Sequence, residues 1–361
     1  MASQAQHTPS AGAVMENTYY KVLVGGRSCH GGDCEYALPM QREDGTWEPG
    51  EWMPPIEGDL QLCAAGYHLT REPARWWQDG AECYAAEWDG DYVGQHGDKI
   101  AVRRCRLLRR LDAAELAQVR VFLEGSHEVS DGYARAYDSA RVRASGSAQV
   151  EAYDSAQVVA SDSAQVVAYG SAQVRASGSA QVVAYDSARV VASDSAQVVA
   201  YGSARVEASG SAQVEASGSA QVVAYDSAQV EASDSAQVVA YGSAQVVAYG
   251  SAQVRAYGSA RVVAYGSARV RAYDSARVRA SGSAQVEASD SAQVVAHGSA
   301  QVRASGSAQV EASGSALVHT THAWGDPTIT VDGYAVWVDH RHGAPVVHAV
   351  SAEMVPVPTT G

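Results

Sequence analysis

From Ala136 to His319 the chain is one octapeptide written 23 times without interruption. Any fold must accommodate the same eight residues at every copy, so this feature limits the architecture more than any other. A typical unit is Ala160-Ser-Asp-Ser-Ala-Gln-Val-Val167. Positions 1, 4, 5 and 7 are always Ala, Ser, Ala and Val. Position 2 is Tyr or Ser (His once, at His297), and position 3 is Asp or Gly. Position 6 is Gln or Arg except at Leu317; position 8 is Val, Arg or Glu except at His319.

Eight residues fit neither 3.5 nor 3.6 residues per helical turn, and each unit carries a Gly-Ser or Asp-Ser break. Strand alternation does fit. Positions 5, 7 and the next position 1 point to one side, and positions 6 and 8 to the other. Arg and Glu are costly inside without partners, so the Ala-Val-Ala side faces in. Each unit is then a short strand plus a tight corner, and the chain winds into a β-solenoid.

Side-chain matching sets the number of units per coil, because equivalent residues of successive coils stack about 4.8 Å apart. At position 2, 14 of 21 pairs two units apart match in type, against 7 of 22 adjacent pairs. This predicts 16 residues per coil and a flattened, two-sided solenoid; a three-unit triangular coil is the alternative. On this register Tyr137, Tyr153, Tyr169, Tyr185 and Tyr201 form a ladder at one edge. Tyr225, Tyr241, Tyr257 and Tyr273 form another at the opposite edge. These ladders, beside outward Val at position 8, are the expected interaction surface.

Charge and composition narrow the function. The net charge is -14, yet the array holds 12 Arg against 9 Asp and 6 Glu. Residues 1–135 hold 21 acidic and 13 basic side chains. From these counts no face of the array can be assigned a strong field, so nucleic acid is not an expected partner. No apolar run approaches a membrane span. The first fourteen residues lack a basic start and an apolar stretch, so no signal peptide is expected. Five cysteines, all before residue 106, fit a reducing, cytoplasmic setting. Asp at position 3 raises calcium, but the simpler reading is a corner residue interchangeable with Gly.

The Tyr-Gly-Ser element and the 8/16 period resemble bacterial ice-nucleation repeats, which present outward Thr-x-Thr rows to organise water. Residues 136–319 contain no Thr, and the matching slots hold Ala, Gln and Val. The resemblance implies the coil geometry, and ice or surface-water binding as one alternative function. The units also resemble Ala-Tyr-Gly-x-Ala-x-Val arrays of uncharacterised actinobacterial and phage-associated proteins.

The expected layout is a disordered extension (1–14), an α+β head (15–120), a transition or N-terminal cap (121–135), the solenoid (136–319) and a C-terminal cap (320–361). In the head, Tyr19–Val24, Glu82–Trp88 and Lys99–Leu108 read as strands. Thr70 reads as the cap of a helix from Arg71 to Trp77, and residues 109–120 as a second helix. Trp47, Trp52, Trp76, Trp77 and Trp88 are the expected aromatic core. In the C-terminal cap, Thr328–Val331 and Tyr334–Val338 read as a hairpin around Asp332-Gly333, with a further strand in 345–350. Trp324, Tyr334 and Trp337 supply bulk there.

Two metal readings arise. One uses Cys29 and Cys34, with His30, Cys63, His68, Cys83 and Cys105 beyond them. The other uses His340 and His342, near His319, His322 and His348. Free thiols and loop histidines are the simpler readings, and no cofactor is expected.

Gly66-Tyr-His-Leu-Thr70, Pro73-Ala-Arg-Trp76 and Cys83-Tyr-Ala-Ala-Glu87 resemble the second half of ADP-ribosyltransferase-type folds. The resemblance implies that Tyr20–Val24 with Arg27 is the first strand and its NAD-contacting residue. Arg27, Tyr67, Thr70 and Glu87 are its candidate catalytic residues. The Ser-Thr-Ser element of that family is missing. Cys63-Ala-Ala-Gly-Tyr-His68 also resembles the core of a small uncharacterised domain that accompanies such repeats. The leading expectation is a non-enzymatic rod that self-associates. An NAD-using head on a solenoid spacer is the alternative.

Overall fold

The computed structural model describes residues 18–28, 34–94, 99–321, 325–341 and 344–349. The predicted 1–14 extension lies outside them, as do Cys29, His30, His322, Trp324 and His342. The chain divides into two compact units: Met1–His127 with Tyr133–Ala140, and Glu128–Gly132 with Arg141–Gly361.

The first unit is built on β1 (Tyr19–Val24), β2 (Arg27–Ser28), β3 (Met40–Gln41), β4 (Trp47–Glu48) and β5 (Tyr67–Thr70). Then come α1 (Pro73–Trp76), β6 (Ala81–Val93), β7 (Lys99–Arg110), α2 (Ala113–Gln118) and β8 (Val121–Phe122). The sheet order β2-β1-β5-β7-β6, with β6 also pairing β1, closes four antiparallel strands into a small barrel. Closure removes the open edges that a small sheet would otherwise expose. The unit is β-rich, with helices of only 4 and 6 residues.

Thr70 does not cap α1. Glu72 precedes the helix with no side-chain cap, Pro73 opens it, and the Thr70 hydroxyl accepts from the Glu72 N–H at 2.9 Å. Asp112 does cap α2, in a reciprocal box with Glu115. The core is Leu23, Leu69, Ile100, Val102, Leu107 and the rings of Tyr36, Tyr67 and Tyr84. Only Trp77 of the five expected core tryptophans is buried, and Trp88 packs partly against the core. Trp52 instead lies under the guanidinium groups of Arg104 and Arg106.

The array folds as a solenoid with 16 residues per coil, which excludes the triangular alternative. Gln157–Ala160 pairs in parallel with Gln173–Ala176, and Gln165–Ala168 with Gln181–Ala184, residue for residue. Alternate units thus build two sheets. Sheet I contains Arg141–Ala144 and every second strand to Gln301–Ala304. Sheet II contains Gln149–Ala152 and every second strand to Gln309–Ala312. Positions 5, 7 and 1 are buried throughout and positions 6 and 8 face out, as the alternation requires.

Position 3 carries the corner. All nine Asp there have φ between +48° and +57°, and the Gly occupants have φ between +56° and +71°. Gly adopts this region without strain and Asp tolerates it better than most residues, which explains the restriction to these two types. The corner residue also repeats the ladder: Ser171 N–H donates to the Asp154 carbonyl and Gln173 N–H to the Ala156 carbonyl, both at 2.9 Å. Where the next coil carries Asp, its carboxylate often accepts the N–H below, as Asp194 does from Gly178 at 3.2 Å.

The C-terminal hairpin lies elsewhere than expected. Thr328–Val331 extends sheet II and Val336–Asp339 extends sheet I, both in parallel, so they form one more coil. Asp332-Gly333 is a solenoid corner, with Gly333 at φ +64°. Val336–Asp339 instead pairs antiparallel with Val346–Ala349. The coil is 19 residues rather than 16, since Leu317 faces Val336. Its inward column turns polar: Ala304 is followed by Thr320 and then Asp339, whose side chains bond at 2.8 Å. Arg341 completes this cluster, donating to Asp339 from Nε and Nη2.

Candidate functional site

The 16-residue coil sorts the outward side chains by unit parity. Between residues 141 and 303, sheet I presents nine Arg against two Glu, net +7. Between 149 and 311, sheet II presents three Arg against four Glu, net -1. Near-balance in the total conceals a cationic face, because like charges recur in alternate units. On sheet I the Arg271–Glu287 pair, at 2.8 Å, partly neutralises a region that also holds Arg255, Arg269 and Arg303. Sheet II carries six outward Val, including Val167, Val183 and Val199 in consecutive coils, within a nearly unbroken row of Gln.

The edges carry the tyrosines. Tyr153, Tyr169, Tyr185 and Tyr201 stack in series, with ring centroids 5.0–5.2 Å apart. Tyr225, Tyr241, Tyr257 and Tyr273 do the same at 4.9–5.4 Å. Tyr249 and Tyr265 add a pair at 5.3 Å, which the sequence reading missed although their spacing of 16 marks it. Tyr201, Tyr225, Tyr241, Tyr249 and Tyr265 are exposed. Tyr137 belongs to the first unit and is buried.

The first unit has its own site, a cavity of ≈ 820 Å³. Strands β1 and β5, the turn before β5, α1 and the first residue of β7 line it. Both lysines of the whole chain, Lys21 and Lys99, face it. Lys21 Nζ donates to the His68 carbonyl at 3.1 Å and lies 4.8 Å from the centre of the Tyr36 ring. Lys99 Nζ donates to Cys63 Sγ at 3.0 Å and lies 4.3 Å from the centre of the Trp76 ring. Cys63 sits at φ +66°, held by its N–H bond to His68 Nε2 at 2.8 Å. His68 therefore accepts at Nε2 and stays neutral; burial first, then Lys21 and Lys99, hold its pKa below the ordinary value. Burial pushes the Tyr67 phenol up to about 12, with Cys34 and Cys105 adding to the shift.

The four candidate catalytic residues do not assemble. Tyr67 and Thr70 line the cavity, but the Tyr67 hydroxyl donates to the Pro54 carbonyl. Arg27 is exposed and faces Glu35 at 3.8 Å. Glu87 is paired with Arg106 on the neighbouring strand. Of the metal candidates, Cys34 lines the cavity, while His340 meets His319 Nδ1 at 3.1 Å through Nε2. Among the described residues no three His, Cys, Asp or Glu converge as a metal site. Cys34, Cys63, Cys83 and Cys105 are free thiols. No helix among the described residues is long and apolar enough to cross a membrane.

Compared with models of known families, with curated proteins and with solved structures, this chain matches none.

Proposed function

We propose that the protein is a non-enzymatic structural rod that self-associates side by side, with sheet II and the tyrosine edges as its contact surfaces. The observation that carries this reading is the parity of charge. Sheet I, at net +7, repels a second sheet I, whereas sheet II, at net -1 with six outward Val, can face its own copy. A pair related by a two-fold axis buries the same patch on both partners. Stacked, exposed tyrosines such as Tyr241 and Tyr265 add aromatic area at low entropic cost. The reading groups the chain with actinobacterial and phage-associated octapeptide arrays, and places it in the cytoplasm, with which the free thiols accord.

Sedimentation of the full chain against concentration tests the proposal. Self-association is expected, weakened by Val183→Glu with Val199→Glu on sheet II and unaffected by Val159→Glu with Val191→Glu on sheet I. A strictly monomeric protein at high concentration, or equal loss from both pairs, defeats it.

A further inference from the structure

We infer that the cavity of the first unit binds a small anionic molecule bearing a planar ring, with Lys99 holding the charge. The inference is independent of the proposed self-association.

The charge pattern is the first argument. Residues 1–135 are acidic, with 21 acidic against 13 basic side chains, yet no Asp or Glu is among the described residues lining this cavity. The only two lysines of 361 residues both face it. Lys99 is half-buried, and among the described residues its ammonium meets only the Cys63 sulfur and the Trp76 ring. An ammonium has three donors and is costly to desolvate without a counter-charge. A ligand anion supplies that counter-charge. Burial first, and then both lysines, lower the pKa of His68, which lies beside them in the same cavity wall.

Shape and lining argue for the ring. The volume, ≈ 820 Å³, suits a drug-sized molecule rather than a bare ion. Tyr20, Ile56, Trp76 and Leu69 give the walls apolar and aromatic area. The left-handed backbone at Cys63, fixed by His68, sets the thiol beside Lys99. Non-Gly residues in this region are uncommon and cluster at functional sites. Cys63 is also exposed to reagents, which makes it a reporter of occupancy.

The test uses the full chain and iodoacetamide, with alkylation of Cys63 followed by peptide mass spectrometry and free glutathione as the reference thiol. Four probes compete: phenyl phosphate, benzoate, phenol and inorganic phosphate. At least one ring anion should slow Cys63 alkylation saturably, by about tenfold where its concentration is ~10 times the Kd. Phenyl phosphate against benzoate identifies the anionic group. Lys99→Gln should raise the concentration needed by at least about tenfold, the weight of one lost charge-assisted hydrogen bond. Lys99→Arg should restore most of the protection. The inference is overturned if neither ring anion protects, if phenol protects as well as both anions, or if inorganic phosphate alone matches them. It is also overturned if Lys99→Gln binds unchanged. The wild-type comparison of the four probes decides the matter even if the variants fold poorly.

Discussion

The barrel of the first unit and the solenoid are both made of strands, yet they are held together differently. The barrel pairs strands far apart in the chain, such as β1 with β6, and fills its interior with Leu, Ile and Tyr. Each position there has its own neighbours. The octapeptide array pairs each strand with the one 16 residues on, and its interior is only Ala and Val. Short side chains suffice because the backbone ladder runs unbroken through the corners. The barrel depends on particular large residues, the solenoid on the repetition of small ones and of a corner geometry.

The sharpest way to break this comparison is a charge inside the solenoid. Val190 is 1% exposed, so Val190→Asp should cost about 3–5 kcal/mol, read as a loss of midpoint in urea. The effect should spread to neighbouring coils, since each coil is stabilised chiefly by the coils beside it. In the barrel, Leu107→Ala should cost about 2–4 kcal/mol. Hydrogen exchange with mass spectrometry reads the two regions separately. Leu107→Ala should accelerate exchange in β1, β6 and β7 and leave residues 160–300 unchanged. Equal acceleration in both would mean that the two regions unfold as one.

A corner substitution comes next. Asp194→Val places a β-branched residue at φ +57° and should cost about 1–3 kcal/mol. Asp194→Gly relieves the backbone but loses the bond from Gly178 N–H, and should change stability by under about 1 kcal/mol. Thermal melts of the two variants rank them; an equal cost would remove the backbone argument.

The C-terminal coil provides a smaller, pH-dependent effect. Burial, then His340 and Arg303, hold the His319 pKa below its ordinary value. An unfolded chain takes up a proton near pH ~6.5 while the folded one does not. The contribution of neutral His319 is therefore complete above that pH, and is lost as pH falls from there through the lower folded value. Amide exchange around Val318 and Trp337 should accelerate as pH drops, after correction for intrinsic rates, and His319→Gln should flatten the dependence. The smallest effect is expected on the outside of sheet II. Gln197→Glu should stay within about 0.5 kcal/mol, and a large loss there would reverse the inward and outward faces.

The repeat alone determined the solenoid, the 16-residue coil, the inward Ala-Val-Ala set and the Tyr ladders, because period and alternation are properties of the string. The extra coil was also legible: Val331-Asp-Gly-Tyr-Ala-Val-Trp-Val-Asp339 is a degenerate copy of the unit, mistaken for a hairpin because Asp-Gly suits both turns. The charged face needed the coil parity applied to each unit rather than to totals. The cavity was legible only in part. Cys63, Tyr67, His68 and Thr70 stand in segments that the sequence singles out, but Lys21 and Lys99 are 78 positions apart and nothing in the string joins them to those segments. Only barrel closure, by pairing β1 with β5 and β5 with β7, brings these side chains to one place. A local repeat encodes its own neighbours, whereas antiparallel strands joined by long connections leave their neighbours to tertiary packing.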